Sequence, residues 1–248
     1  MKNVFPIKIT IIYDNNPAVV GLQHGWGFSC LLEFNNKKII FDTGGDKEAF
    51  FHNIQKLNIE LNRITDIVFS HQHWDHTAGF AQVVKSLGDA CKIYIPFKFD
   101  TKLLSQIPKN KHLNLVKDVV EIEDDTFLIA LKGRSCDIKE CFSVYEQSLI
   151  INRPTGSLVL TGCAHPGIKN ILKAVDKRLS KNIDWVIGGF HLHRSFNRTI
   201  GSVVDEFNSL GVQHVAPCHC TGQKAVDSFK ENFINETHEI GTGSTFCI

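Results

Sequence analysis

Three imidazoles and one carboxylate stand within six consecutive residues, in Ser70-His71-Gln72-His73-Trp74-Asp75-His76. These are ligands for zinc and comparable divalent ions, bound at roughly 2.0–2.2 Å. In extended chain His71 and His73 fall on the same side, and Asp75 and His76, in the turn beyond, are placed to serve a second ion. A single histidine at a strand end is ordinarily a polar loop residue. Four such groups at this spacing are not explained that way.

The elements that must position this cluster are legible from periodicity and punctuation. Lys8–Tyr13 is rich in β-branched residues and stops at Asp14-Asn15-Asn16-Pro17, so it predicts a strand. Residues 30–34 and 37–41 flank Asn35-Asn36 and predict a hairpin. Helical spacing covers 46–57 and, after the short apolar strand 66–70 and the histidine cluster, 77–87, with Gly88 as terminator. Further strands are expected at 91–96, 115–121 and 127–131, then a loop holding Gly133, Cys136 and Cys141, then a strand at 148–152. The rest alternates strands at 157–160, 185–187 and His214–Pro217 with helices at 167–179, 199–210 and 223–233. Strand pairs followed by strand–helix alternation favour layered sheets covered by helices. No linker or repeat divides the chain, and residues 1–248 read as a single domain.

His-x-His-x-Asp-His after a short apolar strand resembles the signature of the metallo-β-lactamase superfamily. The resemblance implies an α/β fold, a four-layer αββα sandwich, with a metal site at one edge between its sheets. Ile39-Ile40-Phe41-Asp42-Thr43-Gly44 is similar to the family's Asp-Thr-Gly turn. There the aspartate orients the ligands from behind, since a metal-bound imidazole needs a partner for its other nitrogen; a turn or helix-capping role for Asp42 is the alternative. By the same likeness, His165 in Thr161-Gly162-Cys163-Ala164-His165-Pro166-Gly167 is a third ligand for the first ion. His219 in Pro217-Cys218-His219-Cys220-Thr221-Gly222 joins Asp75 and His76 on the second. A structural zinc knuckle of Cys218 and Cys220 is the competing reading of that motif. Thr-Gly-Cys stands where the family often has Thr-Gly-Asp, so Cys163 is a thiolate ligand, a residue beside an unfilled bridge, or a packing residue.

His191, in Gly188-Gly189-Phe190-His191-Leu192, follows a Gly-Gly turn that lets backbone approach closely. It reads as a contact to substrate or transition state, with metal ligation or a buried histidine bonded to backbone as alternatives. Together with His24-Gly25-Trp26-Gly27-Phe28-Ser29 and Tyr145-Glu146-Gln147-Ser148-Leu149-Ile150, these motifs resemble one branch of the superfamily. That branch carries the label 7,8-dihydropterin-6-methyl-4-(β-D-ribofuranosyl)-aminobenzene-5′-phosphate synthase. The branch of di-iron oxygen reductases is a poorer match, because it usually carries glutamate where this chain has His73.

The implied chemistry is hydrolysis by a metal-activated water, with two divalent ions as cofactors, zinc first and iron or manganese as alternatives. Asp75 would orient the water or take its proton, and His191 would donate a hydrogen bond to the developing charge. The substrate class expected is a phosphate ester or diester, or a related small anion. A synthase or transferase acting on a phosphoribosyl-type substrate is the second reading, and a non-catalytic metal or redox sensor built on Cys163, Cys218 and Cys220 the third. No Gly-rich phosphate loop of the P-loop or dinucleotide-binding kind is present.

Bulk properties agree with an enzyme of small molecules. Of 248 residues, 43% are hydrophobic and 21% charged, with a formal net charge of +1, which argues against a nucleic-acid partner. No apolar run reaches the roughly 18 residues of a membrane span, and the N-terminal residues lack a signal-peptide pattern. Eight scattered cysteines fit reduced thiols better than a disulfide framework. A cytoplasmic protein is expected.

Overall fold

Six residues of strand-forming sequence, Lys8–Tyr13 (β1), start the first of two seven-stranded sheets. The computed structural model describes residues 6–136, 141–179 and 182–248. They divide into two compact units, the described parts of Met1–Val116 with Ile240–Ile248, and of Lys117–Glu239.

In the first unit β1 pairs antiparallel with Ser29–Phe34 (β2), which turns through Asn35-Asn36 into Lys37–Phe41 (β3). Asn35 takes φ +50°, a left-handed conformation that asparagine tolerates. Helix Lys47–Lys56 (α1) follows, capped by Asp46, whose carboxylate accepts from the Ala49 amide at 2.8 Å. Asp66–Val68 (β4), Lys92–Pro96 (β5) and His112–Val116 (β6) then extend the sheet in parallel from β3. Phe80–Ser86 (α2) and the short Thr101–Leu104 (α3) lie between them in sequence. The C-terminal strand Thr245–Cys247 (β14) returns to pair with β1. Phe50 and Ile54 of α1 and Phe80, Val83 and Val84 of α2 share a buried cluster with Ile40, Ile67, Ile93 and Ile95 of the sheet.

The second unit repeats the plan, antiparallel strands first and parallel ones after. Val119–Glu123 (β7), Thr126–Cys136 (β8), Cys141–Arg153 (β9) and Gly156–Thr161 (β10) form an antiparallel run. Ile183–Gly188 (β11), His214–Pro217 (β12) and Glu236–Thr237 (β13) continue in parallel. Between them run Ile168–Leu179 (α4), Asn197–Ser209 (α5) and Gln223–Asn232 (α6). Ile168, Ile171, Leu172 and Val175 recur at helical spacing, and all are buried against strand residues such as Val159, Val186 and Val215.

Three expectations are corrected. The strand expected at 115–121 is two strands in different sheets, β6 and β7. Apolar residues stand close on both sides of the break (Leu115 and Val116, then Val119 and Val120), and only Lys117-Asp118 marks it. The described part of the loop expected to hold Gly133, Cys136 and Cys141 is strand, since β8 and β9 pair antiparallel with Gly133 opposite Val144; residues 137–140 of that expected loop lie outside the described residues. The helix expected from residue 77 begins at Phe80, after a turn in which Thr77 Oγ1 donates to the His73 carbonyl at 2.9 Å.

Candidate metal centre

In each unit the residues with chemistry sit past the carboxyl ends of parallel strands, where open α/β sheets collect their ligands. β3 and β4 deliver Asp42 and the 70–77 turn; β10, β11 and β12 deliver the turns carrying His165, His191 and His219.

Asp42 is fully buried and sits at φ +58°. Its Oδ1 accepts from the Ser70 amide at 2.6 Å, and its Oδ2 lies 2.6 Å from Ser70 Oγ and 2.7 Å from His76 Nδ1. Helix capping belongs to Asp46 and not to Asp42. Burial raises the Asp42 carboxyl above its usual range, opposed by the His76 imidazole and the Ser70 donors. Along the same turn His71 Nε2 lies 3.0 Å from His73 Nδ1, and His76 Nε2 lies 3.9 Å from Asp75 Oδ2. That Asp75 oxygen accepts from the Trp26 indole at 2.9 Å, a contact sequence reasoning did not foresee. Gly27 makes the approach of Trp26 possible: at φ +143° its backbone passes so close to the Asp75 carbonyl that a Cβ would stand 2.5 Å from it.

In the second unit Glu146 of β9 does the corresponding work. Its Oε1 accepts from the Cys163 and Ala164 amides at 2.8 and 2.7 Å. Its Oε2 accepts from the His165 amide at 2.7 Å and lies 2.7 Å from His165 Nδ1. The carboxylate is wholly buried, which alone would raise its pKa, yet His165 and the ring of amides hold it at about 2. In the sequence Glu146 stands out only as part of a branch motif; a glutamate amid buried β-strand residues is the available signal. Gly133 was also missed: a Cβ there would meet the His165 carbonyl carbon at 2.5 Å.

Beyond these carboxylate-backed imidazoles, the second unit holds a thiol–imidazole set. Cys163 Sγ lies 3.4 Å from His219 Nε2, and Cys163, His191 and Cys220 offer ligand atoms that all lie within 4.8 Å of one another. Cys218 joins no such set among the described residues, which leaves the Cys218–His219–Cys220 knuckle without geometric support. His191 is exposed, at φ +54°, with its ring centroid 4.7 Å from that of His165, so the reading as a buried core histidine is set aside. The Gly188-Gly189 turn serves packing: a Cβ on Gly188 would collide with the Thr161 carbonyl, and one on Gly189 with that of Gly162.

Imidazole and carboxylate donors, with two imidazoles anchored at Nδ1 by buried carboxylates, fit divalent metal. The profile of the metallo-beta-lactamase superfamily matches residues 27–199, and the chain belongs to that superfamily. A curated relative from Methanocaldococcus jannaschii, named 7,8-dihydropterin-6-methyl-4-(beta-D-ribofuranosyl)-aminobenzene-5′-phosphate synthase, is 28% identical over 89% of this chain and 88% of its own. A crystal structure described as Tm1679, a metal-dependent hydrolase of the beta-lactamase superfamily, is 28% identical, with a TM-score of 0.80 over 97% of this chain and 98% of that one. The metallo-beta-lactamase fold protein YhfI from Bacillus subtilis matches in fold, with a TM-score of 0.70 at 15% identity over 98% of this chain and all of that one. Two large sheets and, among the described residues, six α-helices are the elements of this fold. No helix among the described residues is long and apolar enough to cross a membrane.

Proposed function

We propose that the chain is a metal-dependent hydrolase acting on a phosphate ester or diester or a related small anion. One observation carries the reading. Asp42 and Glu146, both buried, engage the Nδ1 atoms of His76 and His165 at 2.7 Å. That contact favours the tautomer whose Nε2 carries the lone pair, the donor a cation takes. His71, His73 and His165 are assigned to one ion, and Asp75, His76 and His219 to a second, with Cys163 as a further donor beside His219. Zinc is the first choice for both, and iron or manganese the alternatives. When bound, the ions would supply Lewis acidity and an activated water.

The chain's own groups do the rest. Asp75, steadied by the Trp26 indole, orients the attacking water and receives its proton. His191, exposed and on a strained backbone, donates a hydrogen bond to the charge that develops on the substrate oxygen. The likeness to Tm1679, described as a hydrolase, supports this assignment.

A second reading rests on the name of the Methanocaldococcus jannaschii relative: a synthase acting on a phosphoribosyl-type substrate. The two are separated by offering purified protein bis(p-nitrophenyl) phosphate and, separately, a phosphoribosyl donor with an aromatic amine acceptor. Hydrolysis of the diester, lost together with metal in His73→Ala, supports the hydrolase. Full activity in that variant removes His73 from the centre, and product formation only with the phosphoribosyl donor selects the synthase.

A further inference from the structure

At the edge of the second sheet, three side chains converge that the site above does not use. His214 Nδ1 lies 3.2 Å from His238 Nε2 and 3.3 Å from Glu236 Oε2, and His238 Nε2 lies 3.5 Å from the same oxygen. Ligands of a tetrahedral zinc ion, each at roughly 2.0–2.1 Å, are separated from one another by about 3.3–3.4 Å. The three observed separations bracket that value. Two imidazoles and a carboxylate also form a familiar three-ligand set, with the fourth position left to water.

The surroundings suit an ion. Trp185 stacks on both rings, at 4.5 Å and 17° for His214 and 4.5 Å and 25° for His238, so an apolar wall limits how far either imidazole can turn. The other nitrogen of His214 faces Asp184 at 4.0 Å, a carboxylate partner of the kind that metal-bound imidazoles favour. The histidine side chains are about one-third exposed or less and Glu236 is mostly exposed, so exchange with solution is open.

We propose that His214, Glu236 and His238 form a second, peripheral zinc-class site. Its position gives it a structural task. β13 is only two residues long and pairs with β12 only at His214–Glu236 and Val215–Thr237. An ion held by His214 and His238, 24 positions apart, closes the loop that carries His219 and α6. Clips that close long loops remove the most freedom from the unfolded chain. The site therefore holds in place the segment from which His219 is presented, without touching substrate.

The test uses the metal-loaded protein as purified, equilibrated with zinc in a weakly chelating buffer. Metal per chain is counted for the native protein, His238→Ala and Glu236→Gln, and zinc-dependent change in tryptophan fluorescence is followed. The expected result is one zinc fewer per chain in His238→Ala, at least a tenfold weaker additional site in Glu236→Gln, and loss of the fluorescence response from Trp185 in both. Zinc should also raise the melting temperature of the native protein more than that of either variant. Equal metal counts and equal zinc responses in all three proteins overturn the proposal. A variant that fails to fold is replaced by His214→Gln, read in the same way.

Discussion

Asp42 and Glu146 do the same job in different surroundings. Each is a buried carboxylate on a strand or strand end, and each takes one imidazole nitrogen at 2.7 Å. Among the described residues the Asp42 carboxylate has only Ser70, through its amide and hydroxyl, as a further hydrogen-bond partner, and burial wins, raising its carboxyl pKa. Glu146 has three consecutive backbone amides besides, and the donors win, holding it at about 2. Backbone amides on one tight turn are fixed in place and cost little to reorient, so they outweigh the loss of water. Glu146 is thus part of the framework of its turn, whereas Asp42 mainly steers a side chain.

The largest effect is expected where framework and steering coincide. Glu146→Gln leaves amides of Cys163, Ala164 and His165 facing a neutral group that brings N–H donors of its own. The cost should be about 3 kcal/mol or more, since hydrogen bonds to a buried charge are lost and their donors stranded. Urea unfolding of the variant measures it. A loss no greater than that of Asp42→Asn would erase the distinction between the two carboxylates.

Asp42→Asn should fold nearly as well but hold metal more weakly. The amide preserves shape yet weakens the grip on His76 Nδ1, and orienting groups of this kind are worth 10–100-fold in affinity, roughly 1.4–2.7 kcal/mol. Competition with a chromophoric chelator reads it directly. Unchanged affinity would reduce Asp42 to a structural residue.

Acid unfolding of the metal-free protein sharpens the contrast through its sign. Glu146 is lowered from 4.5 to about 2, so the unfolded chain takes up its proton first as pH falls. Its stabilisation is therefore present above about pH 4.5 and lost between there and about pH 2, close to 3 kcal/mol in all. Asp42 is shifted upward, so its contribution has the opposite sign: it is present below its unfolded value and lost as pH rises through the folded one. Glu146→Gln should flatten the acid limb and Asp42→Asn should steepen it, as followed by circular dichroism across that range.

Most of the elements were legible because amphipathic spacing and turn residues mark them: β1 and β12 fall at their expected limits, and α1 and α6 within a residue or two. The candidate cluster at 71–76 is legible because histidine and aspartate at such spacing have few other uses. What escaped notice is non-local. Glu146 is distant in sequence from His165, and Gly133 and Trp26 act only through contacts with a turn that the chain reaches later. Backbone strain is equally hidden: Asp42, Ala164, His191 and His219 all take positive φ, each at a cost of order 1 kcal/mol, and side-chain patterning carries no sign of it. The break between β6 and β7 is hard to see for another reason, since only two polar residues, Lys117 and Asp118, separate the apolar ones on either side.

The smallest effect concerns the partner of Asp75, which has no counterpart in the second unit's carboxylate. Trp26→Phe removes one indole donor at 2.9 Å and keeps most of the ring's apolar surface. Trp26 is 41% exposed, so water replaces part of the lost bond, and the change in stability should stay within about 1 kcal/mol. If the indole steadies Asp75 for its proposed duty, turnover should fall several-fold with little change in KM, and the acidic limb of its pH profile should shift. A fall in KM alone, or a variant indistinguishable from the native protein, would leave Trp26 as a wall of the loop and Asp75 held by its other neighbours.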